Sequence, residues 1–240
     1  MELREFERLS AAEDRMWWFR GLHANLIAAA GITEGVLLDA GCGTGGLLTR
    51  LRSAAPAATC LGLDLDAGAC ATAQRKSGCP VTVGSVELLP FAERSLDAIF
   101  SADVLCHRGV EPPRALAGFL RCLKPGGVLV LNLPAYRWLY SGHDVAVDNV
   151  RRFGRQELLA LLNAAGFSRV RTRYWMSLLF PLMLLRRKLH KPAQGASDVA
   201  LLPAPVEWCF TICLALERAI VKAGVPLPFG GSILATAVRP

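Results

Sequence analysis

Val36-Leu-Leu-Asp39-Ala-Gly41-Cys-Gly43-Thr-Gly45-Gly46 is the stretch on which the fold turns. A short apolar run closed by glycines and followed by a helical pattern over 46–55 reads as a buried strand, a tight turn and a helix. The next apolar run, 59–63, ends on Asp64, about twenty residues further on. In doubly wound α/β proteins, ligands bind beyond the carboxyl ends of the strands. Glycines there let the main chain approach a ligand with no Cβ in the way, and an acid at the second strand end can accept from both hydroxyls of a ribose. Glycine turns also serve as plain connections. Placement between strand and helix, with the acid following, favours a nucleotide-like ligand.

Outward from this point strand and helix alternate. A helix over 67–77 leads to a strand at 81–83, a turn at 89–94 to a strand at 96–101, and a helix over 113–123 to a strand at 127–133. A helix over 156–165, stopped by Gly166, precedes a strand at 167–174, and the last strand is 232–239. Parallel pairing needs crossover connections, so the pattern predicts a doubly wound, mostly parallel sheet covered on both faces, with an antiparallel last strand. The chain reads as one domain over 1–240: an N-terminal helical cap to residue 31 (helix 2–30), a cofactor-binding core over 35–175, an apolar helical insertion over 176–225, and the last strand. No internal repeat or low-complexity tract interrupts it.

Gly41-Cys-Gly43-Thr-Gly45-Gly46 also satisfies the dinucleotide fingerprint, which makes a nicotinamide-dependent oxidoreductase the rival reading. Asp39 weighs against it: two residues before the first glycine its charge disfavours a pyrophosphate and suits an amino-acid ammonium. Leu123-Lys124-Pro-Gly-Gly127 before the fifth strand and the antiparallel return at the chain end lie outside that fingerprint too.

Leu37-Leu-Asp39-Ala-Gly-Cys-Gly-Thr-Gly45, Gly62-Leu-Asp64, Gly84-Ser-Val-Glu-Leu-Leu-Pro-Phe91 and Leu123-Lys-Pro-Gly-Gly127 together resemble the successive motifs of class I S-adenosylmethionine-dependent methyltransferases, in particular the bacterial type 11 group. The resemblance spans roughly residues 36–130 and implies a seven-stranded, Rossmann-like sheet. It implies S-adenosyl-L-methionine as cofactor and S-adenosyl-L-homocysteine as product. Asp39, Gly41, Cys42, Gly43, Thr44 and Gly45 would then hold the methionine end, Asp64 the ribose, and Leu65 the adenine face. Ser85 and Val86 would meet the adenine edge, and Ser101 would sit near the methionine amine. Many relatives carry aspartate where Ser85 stands; with a shorter, uncharged serine that contact passes through water or the Val86 amide. In-line methyl transfer works chiefly by positioning and desolvation, with a base only where the acceptor must lose a proton.

Glu13-Asp-Arg-Met-Trp17-Trp18-Phe19-Arg20-Gly-Leu-His23 is similar to a tryptophan-pair segment that precedes this domain in bacterial relatives. That likeness makes Trp18 and Arg20 candidates for acceptor contact; the alternative is that the tryptophans pack the helix on the sheet. Tyr136, Tyr140, His143 and Asp144 follow the fifth strand and can line an acceptor pocket, His143 as a base that Asp144 orients. His107 is a second candidate base. Arg151 and Arg152 can clamp a phosphate or carboxylate; a solvated helix start is the plainer alternative.

The formal charge is +7, from 27 basic and 20 acidic residues. Arg151, Arg152, Arg155, Arg169, Arg171, Arg173, Arg186, Arg187, Lys188 and Lys191 face one acid, Glu157, over residues 150–191, so one end of the molecule should be basic. The apolar run over 176–185 beside Arg186, Arg187 and Lys188, with a second apolar helix over 206–221, suits peripheral contact with an anionic membrane; a helical lid, a dimer surface or a core addition is the alternative. These features point to a small or lipid-linked anionic acceptor. Nucleic acid is disfavoured because no RNA-binding module or recognition helix is evident. Eight cysteines without paired spacing suit buried reduced thiols, no zinc or other metal site is expected, and the start of the chain carries no secretory or transit pattern. The expected protein is cytoplasmic or membrane-peripheral, and a monomer or homodimer.

Overall fold

A computed structural model of the chain describes residues 13–189 and 201–240, with residues 186–189 in backbone only. In chain order the elements are α1 (Trp17–Ala30), β1 (Glu34–Ala40), α2 (Gly46–Ala54), β2 (Ala57–Asp64), α3 (Ala67–Ser77), β3 (Val81–Val83), β4 (Leu96–Ala102), α4 (Pro112–Cys122) and β5 (Leu123–Pro134). A 3-10 turn (Arg137–Leu139) and α5 (Gly142–Ala146) precede α6 (Arg155–Ala164), β6 (Ser168–Trp175), α7 (Phe180–Leu189), α8 (Ala204–Lys222) and β7 (Ser232–Val238). The boundaries have local causes. Asp66 caps α3 by accepting from the amides of Gly68 and Ala69 at 2.8 and 3.0 Å, and Gly78 ends it in the left-handed region. Pro112 and Pro113 open α4, whose Ala115, Leu116, Phe119 and Cys122 are buried at helical spacing.

The seven strands form one sheet in the order β3-β2-β1-β4-β5-β7-β6. The first five run parallel, and β7 lies antiparallel between β5 and β6, as the alternating pattern predicts. One face buries Leu116, Phe119, Leu158 and Leu162 of α4 and α6; the other buries Leu22, Leu26, Leu48, Leu51 and Leu214 of α1, α2 and α8. At about 25 cal/mol per Å² of apolar surface removed from water, these two layers are the main stabilising term.

Four local expectations change. Residues 124–126 are drawn into β5 instead of forming a turn before it, because Leu96 already pairs with Leu123 across a register shift, and Gly126 and Gly127 exchange backbone bonds with Arg239. Helix α4 starts at Pro112 and gives way to β5 at Leu123. Met16 is extended and separates residues 13–15 from α1; the earlier part of the expected helix, 2–12, lies outside the described residues. The loop expected after β5 holds the 3-10 turn and α5.

The insertion resolves into α7 and α8, while residues 190–200, with Lys191, lie outside the described residues, as do the side chains of Arg186, Arg187 and Lys188. Helix α8 packs on the cap. The Trp17 amide donates to Glu207 Oε2 at 2.7 Å, the Trp17 and Phe210 rings meet edge-on at 5.1 Å, and Gly21 gives room to Leu214. These contacts advance together along both helices, so α1 and α8 run in the same direction. Among the described residues no helix is long and apolar enough to cross a membrane.

Candidate active site

The turn after β1 is pinned under β2. The amides of Gly41 and Cys42 both donate to the Leu63 carbonyl, at 2.7 and 2.9 Å. Gly41, Gly43 and Gly45 have φ values of 86, 52 and 86°, conformations that a side chain would strain. A Cβ at Gly45 would stand 2.8 Å from the Ala73 α-carbon, whereas one at Gly43 would meet nothing within 4 Å. The chain is therefore tight against α3 on one side of the turn and open on the other. Asp64 supports the open side, accepting from Gly43 N at 2.8 Å and Asp66 N at 3.0 Å, which leaves further lone pairs on both oxygens.

Asp39 stands beneath this turn with 2% of its surface exposed, and its Oδ2 has no hydrogen-bond partner among the described residues. Burial pushes its carboxyl well above the usual carboxylate range, and the charges of Glu13 and Asp64 push it further. Glu13, just before the cap helix, accepts from Thr44 Oγ1 at 2.6 Å and pairs with Lys76 at 3.2 Å. His23 lies 3.9 Å from Glu13, but burial, then the charges of Arg50 and Lys76, hold its pKa down to about 3, so it adds no cation. Three carboxylates thus surround a glycine turn with Lys76 as the ammonium that pairs with Glu13. An orphaned buried oxygen in that setting fits an ammonium or sulfonium and opposes a diphosphate. The Cys42 thiol is pushed up by burial and by Asp39 and Asp64, which makes it a poor nucleophile.

The tip of β4 carries an acid that the sequence reading passed over. Asp103 sits at φ 55°, a left-handed conformation for a residue with a side chain. Asn132 Nδ2 donates to both its oxygens at 3.0 and 3.1 Å, Trp175 Nε1 donates to Asn132 Oδ1 at 2.7 Å, and Trp18 lies 6.1 Å from the Trp175 ring. The cap helix is thereby linked to Asp103 through two side chains. Burial pushes the Asp103 carboxyl up to about 7, against the Asn132 hydrogen bonds and the Arg152 charge, with Asp144 adding to the rise. Val104 fills the space a Cβ at Gly41 would need, so Asp103 adjoins the glycine turn. Beside it Tyr136 stacks on Tyr174 at 5.3 Å and meets Trp138 and Phe180, an aromatic wall built by three separate segments.

The other expected residues distribute as follows. Ser101 is buried and donates to the Ala40 carbonyl at 2.8 Å; Ser85 Oγ accepts from the Glu87 amide at 3.2 Å, which turns it toward its own loop. Val86 is buried in the core and Leu65 is exposed beside Asp64. Trp18 packs against Phe19 and Trp175, and Arg20 is exposed. Asp144 accepts from Ser141 N at 2.8 Å, capping α5, and from Arg152 Nε at 2.8 Å. Arg152 is in turn buried, its Nη1 given to the Ala135 carbonyl at 3.1 Å, so its charge is spent inside the fold and does not clamp an anion. Tyr140 donates to the Asn149 carbonyl at 3.0 Å, and Arg151 is half-buried without an ion pair among the described residues. His143 is half-buried on α5, and burial lowers the pKa of His107 despite the nearby Asp148. Among the described residues no cluster of His, Cys, Asp or Glu can hold a metal. Glu13 opens the tryptophan-pair segment, and Asp103 lies two residues past Ser101; an acid at a strand tip is the signal for the latter.

Residues 38–131 match the family described as a methyltransferase domain. Over 148 residues the chain is 33% identical to malonyl-[acyl-carrier protein] O-methyltransferase of Methylococcus capsulatus, an overlap that takes in 56% of this chain and 52% of that protein. The chain therefore spans about half the length of this relative. Among solved structures, an S-adenosylmethionine-dependent methyltransferase of Thermotoga maritima superposes with a TM-score of 0.64 at 18% identity, covering 99% of this chain and 95% of that one. Geranyl diphosphate C-methyltransferase of Streptomyces coelicolor superposes with a TM-score of 0.63 at 16% identity, covering 92% and 76%. Both share the fold. The matched methyltransferase domain begins one residue before Asp39 and ends within β5, enclosing the glycine turn, Asp64 and Asp103, and over this span the chain is similar to class I S-adenosylmethionine-dependent methyltransferases.

Proposed function

We propose that the chain binds S-adenosylmethionine at the glycine turn and transfers its methyl group to a small or lipid-linked anionic acceptor at the rim formed by β4, β5 and the cap. The observation that carries the first half is the buried Asp39, whose free Oδ2 faces a like-charged setting that a cationic amino-acid end would relieve. In this reading Asp39 and the turn from Gly41 to Gly45 hold the methionine end and Asp64 takes the ribose, with Leu65 against adenine and the Val86 amide on its edge. When bound, the cofactor would supply a methyl group carried on a sulfonium.

The residues of the chain then position the acceptor and manage its proton. Asp103, with a carboxyl pKa near neutrality, takes a proton from the attacking group, alongside the candidate bases His143 and His107. Tyr136, Tyr174 and Trp138 present a wall for an apolar or planar acceptor body, and Arg151 and Arg20 are the cations left for its charge. A second reading comes from the relative whose own name specifies malonyl-[acyl-carrier protein]: a carboxylate acceptor is already ionised and needs no base. The exposed Leu178, Leu182 and Leu185, with the exposed Trp208, Ile212 and Leu216 of α8, support a lipid-linked acceptor met at a membrane surface.

Calorimetry with S-adenosylhomocysteine, NAD and NADP tests the cofactor assignment. Binding of the first alone is expected, weakened by roughly 1–3 kcal/mol in Asp64→Ala through lost ribose hydrogen bonds. Preferred binding of a dinucleotide would overturn it. Transfer of label from methyl-labelled cofactor into a cell extract tests catalysis.

A further inference from the structure

Beyond the contact of Gly21 with Leu214, helices α1 and α8 continue side by side over β6 and β7, with alanines among the residues of both that line the space between them. Ala24 and Ala28 on one helix and Ala219 on the other leave a cleft of about 740 Å³ between them. That volume is within the range of small-molecule sites. Its charged lining is one-signed: Arg171 and Arg173 come from β6, Arg218 and Lys222 from α8, and among the described residues no acid lines it.

Each cation has a structural reason to face inward. Arg171 and Arg173 stand two apart on one strand and so share a face, opposite Thr236 and Leu234 of β7. Arg218 follows one helical turn after Leu214, which packs against the cap. Arg173 is half-buried, yet its one hydrogen bond is a long one, 3.4 Å from Nη2 to Asn25 Oδ1, out of five N–H donors a guanidinium carries. The acid whose charge reaches both Arg173 and Arg218 is Glu217, and its carboxylate is already taken by the amides of Met176, Ser177 and Leu178 at 2.6, 2.6 and 3.1 Å. None of the four cations forms an ion pair among the described residues. Such a cluster repels itself and leaves donors unmet, and an anion seated among them would remove both costs.

The cleft is separate from the cofactor turn. It lies over β7 and β6, the turn lies at the tips of β1 and β2, and β4 and β5 intervene. Arg171 is four residues below Trp175 at the rim, roughly 13 Å along the strand.

We propose that this cleft is a second binding site, for an anionic amphiphile: a single phosphate or carboxylate head held by Arg173 and Arg218, and a short apolar chain along Ala24, Ala28 and Ala219. Arg171 and Lys222, both exposed, stand at its mouth and draw the head in. The site takes its ligand independently of methyl transfer.

Decyl phosphate below its micelle concentration is the probe, titrated into the full chain by calorimetry beside inorganic phosphate and decanol. Decyl phosphate should bind at least tenfold tighter than either fragment and with S-adenosylhomocysteine affinity unaltered. Arg173→Gln with Arg218→Gln should weaken it at least tenfold, and Lys222→Gln, a change on the solvent side that cannot disturb folding much, about threefold. Competition by phosphatidylglycerol vesicles, absent with phosphatidylcholine, would identify a membrane as the source; indifference to both would identify a free metabolite. The proposal is overturned if inorganic phosphate binds as well as decyl phosphate, if Lys222→Gln and the double variant bind like the parent, or if S-adenosylhomocysteine displaces the probe.

Discussion

Asp103 combines two costs in one residue, a left-handed backbone and a carboxyl withdrawn from water, and the Asn132 amide that spans both its oxygens offsets only part of the second. A carboxylate acts as a base only when ionised, so its contribution rises as pH passes its pKa of about 7 and levels off above it. In Asp103→Asn the turnover number should fall about a hundredfold or more, the usual share of a general base, and the limb of the pH profile near 7 should vanish. An unchanged profile would favour the carboxylate acceptor that needs no base. The same shift predicts stability: with the folded pKa raised, the native state favours the protonated carboxyl, so the contribution is complete below the ordinary value of 3.8 and is lost as pH climbs through about 7. Thermal midpoints measured from pH 4 to 8 should fall more for the parent than for Asp103→Asn. At this scale the placement of Asp39, Asp64 and the glycines around one turn was legible because strand, turn and helix are neighbours in the chain. Asp103 was not, because what marks it is Asn132, 29 residues away on another strand. Arg152 misled for the converse reason: its partner Asp144 lies in the same loop, and sequence does not reveal that both are buried.

Among the elements, α8 depends on one side chain for its connection to the chain before α7. Glu217 gathers three backbone amides at residues 176–178, of which Met176 and Ser177 are buried. Glu217→Ala should cost about 3 kcal/mol in denaturant unfolding, and Glu217→Gln distinctly less, since the amide oxygen keeps one acceptor. At the start of α2, Gly45→Ala would strain a φ of 86° and press a methyl on the Ala73 backbone, so S-adenosylhomocysteine affinity and stability should drop together, each by about 1–3 kcal/mol. The alternation of elements was readable because the apolar period switches from 2 to 3.6 at each boundary. The bulge that takes Lys124-Pro-Gly-Gly into β5 was not, since it answers to β4 and to Arg239 at the far end of the chain. The pairing of α8 with α1 was equally hidden: Trp17 and Glu207 are 190 residues apart.

Across the whole molecule the cap is the piece that touches both halves of the site: Glu13 reaches the glycine turn through Thr44, and Trp18 meets the Trp175–Asn132–Asp103 line at the rim. In the proposed assignment, cofactor binding and acceptor positioning would share the N-terminal cap, and α8, packed along α1, joins the basic cleft to the same body. The acids near Asp39 make the ligand-free site costly, because burial and two like charges oppose ionisation there. A ligand ammonium reverses that sign, so binding energy is partly relief of repulsion. At a hundredfold excess over its dissociation constant a ligand stabilises by about 2.7 kcal/mol, which in a chain of this size raises the thermal midpoint by roughly 5–10 °C. Glu13→Gln keeps an acceptor for Thr44 but removes one negative charge, so two changes of opposite sense are expected: a higher midpoint for the ligand-free protein and a smaller shift with S-adenosylhomocysteine at the parent's saturating concentration. Paired melting curves with and without ligand measure both. Parent-like values for both would mean that the cap closes the site by packing alone and that its charge plays no part in holding the cofactor.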